Sequence, residues 1–482
     1  MSKVLLFAQE KALPLKGITY NSAEVEAGYA FFAIKGVHHD GNSYIEDAIR
    51  KGAVLIVSAQ PLNREIPVPF FLSENIEQDM ADAAYVFYGR PSDHLHITGI
   101  TGTKGKTSIS YLTEAILSFA KKKVSVLGTV NYRINGKVMA QAPNTTPLAF
   151  PLFNLLHQMH AAQTDSLIME VSSHALEQQR VRHIHFDTAV FTNLQRDHLD
   201  FHLTFENYFS AKRKLFEELL SSDNKKKQKT AIINLDDPYG QKLAKMLEGK
   251  VKVMTYALEQ KADYTARNIQ ESLSGTEFTV NGMYGKINLL GKHNVYNALA
   301  ALCIAVTNGV DEKTALEGLS TLSGVPGRME QICEGQDYFV FVDFAYTDES
   351  LQKAYQTIEN FKKGRVITVF GCGGDRDRTK RPLMGYTACS NSDYVFLTND
   401  NPRTEKPTQI FEDIQKGMAE FSNYEIEPDR RKAIFKAIGM VRKDDIVIIA
   451  GKGHEQTQKI GHAVFPFSDQ ETAKEAIRKK NV

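Results

Sequence analysis

Apolar and polar positions alternate along this chain in blocks whose period changes, and the period assigns the elements. The unbroken apolar runs Tyr29 to Ile34 and Ala53 to Val57 predict buried strands, with a helix over Tyr44 to Lys51 between them. Pro61, Pro67 and Pro69 break the next segment, and Gly89 to Ser92 predicts a linker. A second series then begins. His94 to Ile100, Val124 to Leu127, Ser166 to Val171, Thr188 to Thr192 and Ala231 to Leu235 predict strands. Helical periods separate them, the first carried by Ile109, Leu112, Ala115 and Ile116. Such alternation predicts a largely parallel sheet flanked by helices. The polar run Ser221 to Lys229 predicts a solvated loop. After Gly324 to Arg328 the pattern restarts, with strands at Phe339 to Val342, Val366 to Phe370, Tyr394 to Leu397 and Ile446 to Ile449. This restart predicts a second, doubly wound sheet, whose ligands would sit at the carboxyl ends of its strands.

At 482 residues the chain exceeds one hydrophobic core. The pattern divides it into three α/β domains: 1–90, a central 91–324 with a mostly parallel sheet, and a C-terminal, Rossmann-like 325–482. With 58 basic and 57 acidic side chains there is no broad field to attract nucleic acid or an anionic membrane, so anionic ligands must be held locally. Cys303, Cys333, Cys372 and Cys389 form neither a CxxC pair nor a disulfide framework, which predicts reduced thiols in a cytoplasmic enzyme. Met1 to Val4 does not open a signal peptide, and no apolar run reaches membrane-spanning length.

The central strand His94 to Ile100 runs into Gly102, Thr103, Lys104, Gly105, Lys106, Thr107 and Ser108, and a helix follows. Glycines let successive N–H groups converge on phosphate oxygens at the positive end of that helix. Lys106 then reaches the outer phosphates and Thr107 a magnesium ion. Ile100 stands where the standard P-loop has its first glycine, so this is a shorter form. An isolated GxxG would read as an ordinary turn. Lys-Thr in register with strand and helix favours a P-loop-type ATPase.

Glu170 ends one predicted strand and His198 follows the next, so both can join Thr107 around magnesium, a hard cation. Lys212 lies on a basic helical face that, by composition, reads as solvated. Asn294 or Asn297 can offer an amide to a purine edge or cap a helix. Three charged turns share one edge of the last sheet. They are Gly371 to Arg376; Asp400, Asn401, Pro402 and Arg403; and Gly451 to Glu455. Arginines there suit carboxylate capture and Glu455 an ammonium, which together suggest a zwitterionic substrate. Surface ion pairs on structural turns are the plainer alternative.

Taken in order, these motifs resemble the Mur ligases, ATP-dependent amide-forming enzymes of peptidoglycan synthesis. The similarity runs through Gly102 to Thr107, Asn144 to Pro147, Glu170 to His174, Asn193 to Asp200, His293 to Asn297, Gly327-Arg328 and Asp400 to Arg403. The resemblance implies an N-terminal domain for a UDP-sugar, a central ATPase and a C-terminal amino-acid domain. It implies that Ser22, Val37, His38, His39, Asn144, Thr145, Thr146, Ser172, Gln178 and Arg180 contact the UDP-muramoyl substrate. ATP would meet Gly102 to Ser108, with Asn297 at adenine, Arg328 at a phosphate and Asp343 at ribose. Glu170 and His198 would bind Mg2+, joined by Lys212 as a CO2-derived carbamate.

The Asp-Asn-Pro-Arg form resembles members that add meso-diaminopimelate rather than lysine. Arg376 and Arg403 would pair with its carboxylates, with Asp400, Asn401 and Pro402 in the same turn and Gly451 and Glu455 at its distal end. Departures from the family pattern are Asn21-Ser22-Ala23 for Asp-Ser-Arg, Asp343 to Asp348 with Tyr346 in place of histidine, and Val37 at an often polar position. The expected reaction joins diaminopimelate to UDP-muramoyl dipeptide through an acyl phosphate. Lysine as acceptor, a nucleotide-gated binding protein and folylpolyglutamate synthase are the alternatives. The expected partners are small molecules, with no nucleic acid, no membrane insertion and a monomeric state.

Overall fold

The structure, a computed structural model, describes residues 2–36, 40–359 and 361–480, so Val37, His38 and His39 lie outside the described residues. The chain packs as two compact units: Met1–Arg267 with Val280–Met283 and Tyr296–Thr321, and Asn268–Thr279 with Tyr284–Val295 and Leu322–Val482.

The first unit opens with the helix Lys3–Glu10 and a parallel sheet of β1 (Gly17–Thr19), β2 (Tyr29–Ala33), β3 (Leu55–Ser58) and β4 (Phe70–Leu72), in that order. The helix Ile76–Phe87 follows, capped by Asn75, whose Oδ1 accepts from the Gln78 N–H at 2.9 Å. The central strands are β5 (Ile97–Thr101), β6 (Val124–Leu127), β7 (Asn131–Ile134), β8 (Lys137–Gln141), β9 (Ser166–Glu170), β10 (Thr188–Phe191), β11 (Thr230–Asn234), β12 (Lys252–Ala257) and β13 (Tyr264–Ser272). They run in the order β13-β12-β11-β10-β5-β9-β6-β7-β8, antiparallel only where the β7–β8 hairpin joins. The parallel core of this sheet is the one expected. β5 starts at Ile97 rather than His94, because Pro91–Asp93 forms a tight turn and Lys226 takes the Leu95 carbonyl.

β9 and β10 flank β5, with Ile100 opposite Glu170 and Thr101 opposite Phe191. Whatever follows β5, β9 and β10 therefore gathers at one sheet edge. A single apolar cluster joins Ala30, Phe32, Leu55 and Val57 of the first sheet to Phe150 and Phe153 of the helix Ala149–Ala161 and to Leu167, Met169 and Phe191 of the central one. Phe32 meets Phe150 edge-on, ring centroids 4.8 Å apart. The segment 221–229 is less solvated than expected. Asn224 is buried, donating to the carbonyls of Phe186 (2.8 Å) and Leu219 (3.2 Å), and Lys226 pairs with Asp187 at 3.4 Å.

In chain order come β14 (Gly275–Val280), β15 (Met283–Ile287) and the helices Lys292–Thr307 and Glu312–Leu319. The second unit is then built on β16 (Glu330–Gln331), β17 (Phe339–Asp343), β18 (Val366–Phe370), β19 (Tyr394–Leu397), β20 (Tyr424–Ile426) and β21 (Ile446–Ala450). A separate hairpin holds β22 (Thr457–Ile460) and β23 (Ala463–Pro466). The larger sheet has the order β16-β17-β21-β18-β19-β20, parallel except for β16. Its strands bury both faces. Phe341, Phe370, Leu397 and Ile448 pack with Leu351, Met384 and Ile414 on one side, and Val340, Ile367, Phe396 and Ile449 with Ile434, Ala437 and Ile477 on the other. β17 and β18 lie on either side of β21, so the chain reverses its winding there.

Candidate active site

The loop after β5 takes the conformation that its glycines permit. Gly102 has φ +147° and a Cβ there would fall 1.9 Å from Thr192 Oγ1, so no larger residue fits. Gly105, at φ +93°, ends the loop, and the helix Lys106–Phe119 begins. The segment that follows β10 braces the loop. Asn193 O accepts from Thr103 N–H at 2.9 Å, Asn193 Oδ1 from Lys104 N–H at 3.0 Å, and Thr192 Oγ1 donates to Lys104 O at 2.7 Å. Lys106 Nζ folds back onto the carbonyls of Gly102 (2.8 Å) and Thr103 (3.1 Å). Lys104 reaches Asp197 at 3.4 Å. Asn297 lies against the loop, since a Cβ on Gly105 would come within 2.5 Å of its Oδ1. Asn294 instead donates to Leu290 O at 2.8 Å, a structural role.

Glu170 is buried where β9 ends. Its Oε2 accepts from Thr107 Oγ1 at 3.0 Å and Thr129 Oγ1 at 2.8 Å, and its Oε1 from Thr129 N–H at 3.1 Å. Thr129 was not foreseen, and its position directly after a strand-end glycine is the one sequence signal for it. The expected substrate residues continue from this point. Thr145 Oγ1 lies 3.1 Å from Thr129 Oγ1, and Thr146 Oγ1 bridges Glu170 O (2.9 Å) and Ser172 N–H (3.0 Å). Arg180 donates to Thr146 O at 2.8 Å and to Gln178 Oε1 at 2.9 Å, while Asn144 O accepts from Tyr132 OH at 2.6 Å. Ser22 opens a short turn capped by Asn21, whose Oδ1 accepts from Ala23 N–H at 3.1 Å, so asparagine takes the capping part at this departure.

Lys212 overturns its solvated reading by composition. It is 1% exposed, donates to Gly102 O at 2.9 Å and stands over the Tyr208 ring at 4.3 Å. Burial first, then the charge of Lys106, push its ammonium well below the ordinary lysine value, against the pull of Asp197. The signal was its spacing: Tyr208, Lys212, Leu215, Phe216 and Leu219 make one buried stripe. His198 adopts a left-handed φ of +52° at the start of the turn Leu199–His202, its ring 5.0 Å from that of His174 and 6.1 Å from that of Tyr208.

In the second unit the expected turns share one sheet edge. Asp343 Oδ2 accepts from Met329 N–H at 2.6 Å, and Arg328 stands over the Phe344 ring at 5.6 Å. Burial pushes the Asp343 carboxyl up to about 6, although Arg328 pulls it down. The turns after β18 and β19 are stitched together. Asp375 Oδ1 accepts from Thr404 Oγ1 at 2.7 Å, and Arg403 Nη1 donates to Gly374 O at 2.7 Å. Gly374 leaves no room for a side chain, because a Cβ would meet Pro402 O at 1.9 Å. Beneath them Arg381, wholly buried and not foreseen, holds both Glu405 oxygens at 2.8 and 2.9 Å and Asp413 at 3.0 Å. Arg376 is exposed and donates to Asp375 O at 2.9 Å. Gly451 sits beside Asp400, and Glu455 Oε2 accepts from Asn401 Nδ2 at 2.7 Å and Lys452 Nζ at 2.8 Å. Lys452 was likewise missed, since a single lysine between glycines reads as exposed.

Comparison with known proteins covers almost the whole chain. Family models match in succession: "Mur ligase family, catalytic domain" over residues 14–97, "Mur ligase middle domain" over 100–305, and "Mur ligase, glutamate ligase domain" over 327–453. The UDP-N-acetylmuramoyl-L-alanyl-D-glutamate--2,6-diaminopimelate ligase of Oceanobacillus iheyensis is 41% identical over 471 residues, 97% of this chain and 95% of that protein. The protein of the same name in Aquifex aeolicus is 40% identical over 468 residues, covering 96% and 94%. A solved structure of a ligase of that name aligns at 34% identity and TM-score 0.69, over 97% of this chain and 96% of its own. The MurF ligase of Thermotoga maritima in complex with ADP, at 20% identity, TM-score 0.61 and 97% of both chains, shares the fold. Identity of this level over this length shows that the chain belongs to the Mur ligase family.

Proposed function

We propose that this chain is an ATP-dependent ligase that adds meso-2,6-diaminopimelate to UDP-N-acetylmuramoyl-L-alanyl-D-glutamate in peptidoglycan synthesis. The observation that carries the reading is the 41% identity, over 97% of the chain, to a ligase of that name. The geometry supports it at both ends: a braced phosphate loop beside a buried carboxylate in one unit, and arginine-bearing turns stitched across a sheet edge in the other.

In the proposed reaction a γ-carboxylate oxygen of the D-glutamyl residue attacks the γ-phosphorus of ATP, and ADP leaves. The amine of diaminopimelate then attacks the acyl phosphate carbon, phosphate departs, and the amine gives up a proton as the amide forms. The Gly102 to Ser108 backbone would cradle the phosphates, and Lys106 would turn from its own loop to the outer ones. Asn297 would meet adenine, Arg328 a phosphate and Asp343 the ribose. The Thr107 hydroxyl and Glu170 carboxylate, 3.0 Å apart, are hard oxygen donors of the kind magnesium takes, so the site fits that ion. Magnesium would neutralise charge on the transferring phosphoryl group.

His198 and Lys212 complete the proposed metal set. An ammonium cannot ligate a cation, but burial that favours the neutral amine also prepares Lys212 to capture CO2 as a carbamate, an anionic oxygen donor. The muramoyl substrate would meet Ser22, Asn144, Thr145, Thr146, Ser172, Gln178 and Arg180. The acceptor would meet Arg376, Asp400 to Arg403, Gly451 and Glu455. No protein nucleophile is needed, so rate would come from positioning and electrostatics.

The test is a panel of amino acids assayed with ATP and the muramoyl dipeptide. Phosphate release should require both the dipeptide and diaminopimelate, with a tripeptide product. Preference for lysine would overturn the acceptor, and ATP hydrolysis that ignores the amine would favour a nucleotide-gated binding protein.

A further inference from the structure

Lys452 lies in the turn after β21 and is fully buried, yet its three donors do not serve the turn alone. Nζ donates to Asn401 Oδ1 at 3.1 Å, Glu455 Oε2 at 2.8 Å and Thr457 O at 2.7 Å. We propose that Lys452 is a positioning residue for the amino-acid acceptor, fixing the Asn401 amide and the Glu455 carboxylate in the orientation that recognises the ligand's distal ammonium-carboxylate end. The proposal rests on the reading above and deepens it.

Two features separate this lysine from a structural one. Lys480 shows what a structural lysine does in this fold, donating to the main-chain carbonyls of Ile438, Gly439 and Val441 at 2.6–3.1 Å. Lys452 spends two of its three donors on side chains proposed to meet the acceptor. In addition, it settles which way the Asn401 amide faces. Oδ1 receives Lys452 Nζ and the Lys459 N–H, at 3.1 and 2.9 Å, so Nδ2 is turned to Glu455 Oε2. A carboxylate oxygen only accepts, so the reverse orientation would set two acceptors against each other.

Charge points the same way. The buried carboxylate Asp400 and the partly exposed Glu455 both lie close to Lys452, whereas the neighbouring Arg430 is committed to Asp469 through two bonds of 2.7 Å. Lys452 offsets part of this negative charge and Lys380 also acts on Asp400, so Glu455, with a third of its side chain exposed, is the carboxylate that suits a ligand ammonium. Without Lys452 two carboxylates would face each other, and one would take up a proton.

The test compares full-length wild type, Lys452→Met, Glu455→Gln and the double variant, with product formation followed against each substrate. Lys452→Met should raise KM for diaminopimelate about tenfold or more, with KM for ATP and the dipeptide within about twofold, the pattern of lost acceptor binding. In the Glu455→Gln background the further effect of Lys452→Met should shrink to about twofold, because the two act as a unit. That comparison also stands if Lys452→Met alone fails to fold, since the double variant removes both members of the Lys452–Glu455 ion pair. An unchanged KM for diaminopimelate in Lys452→Met, or a further tenfold rise in the Glu455→Gln background, overturns the proposal. Wild type that makes no product with diaminopimelate overturns the functional reading, and this inference falls with it.

Discussion

Single side chains carry the chemistry, and their surroundings say what each change would do. Glu170 accepts three hydrogen bonds while buried, so Glu170→Gln sets an amide N–H2 against donors. We expect about a 100-fold or greater fall in kcat, read as phosphate release, with a loss of about 1–3 kcal/mol in denaturant unfolding. Asp343 behaves differently. Its carboxyl is raised from 3.8 to about 6, so folding favours the protonated form. Its stabilising contribution is complete below about pH 4 and lost as pH rises through 6. Asp343→Asn should therefore gain on the order of 1–3 kcal/mol at pH 7 and nothing at pH 4, measured by urea unfolding at both, while KM for ATP rises. Local conformation was legible where a motif fixed it, as at Gly102 and Gly105 before the helix that begins at Lys106. Burial was not legible for Arg381 or Lys452, because a charged side chain goes inside only when partners distant in sequence receive it, and composition does not reveal those partners; for Lys212 only the helical spacing carried it.

At the scale of elements, the site depends on close approach between turns. The Gly371 to Arg376 and Asp400 to Glu405 turns touch where Gly374 faces Pro402 O, with 1.9 Å for a missing Cβ. Gly374→Ala should force them apart, costing about 1–3 kcal/mol by thermal unfolding and raising KM for diaminopimelate, with KM for ATP unchanged. The strands that hold these turns were readable from apolar runs, and the observed ends of β18 and β19 match the expected ones residue for residue. The helix Lys3–Glu10 and the hairpins β7–β8 and β22–β23 were not. Val4 and Ala8 are the only buried residues of that helix, and β8 and β23 are exposed along their length, so neither leaves a one-sided pattern to read.

At the scale of the whole molecule, three α/β segments were visible in the restarts of the pattern, but not how cores are shared among them. Periodicity identifies which face of an element is apolar without saying which sheet will cover it. The structure settles this for the first two sheets, whose side chains merge around Phe150 and Phe153. Phe32→Ala should cost about 3–5 kcal/mol and lower the unfolding midpoint of both sheets together, followed by hydrogen exchange in β2 and β5. The edge-on meeting of Phe32 with Phe150 has a consequence for recombination. A chimera that takes its first ninety or so residues from another relative imports one half of that aromatic seam and keeps the other. Such grafts will stay soluble only when the donor's ring matches the host's, so the N-terminal segment is inherited with its neighbour rather than as an exchangeable cassette.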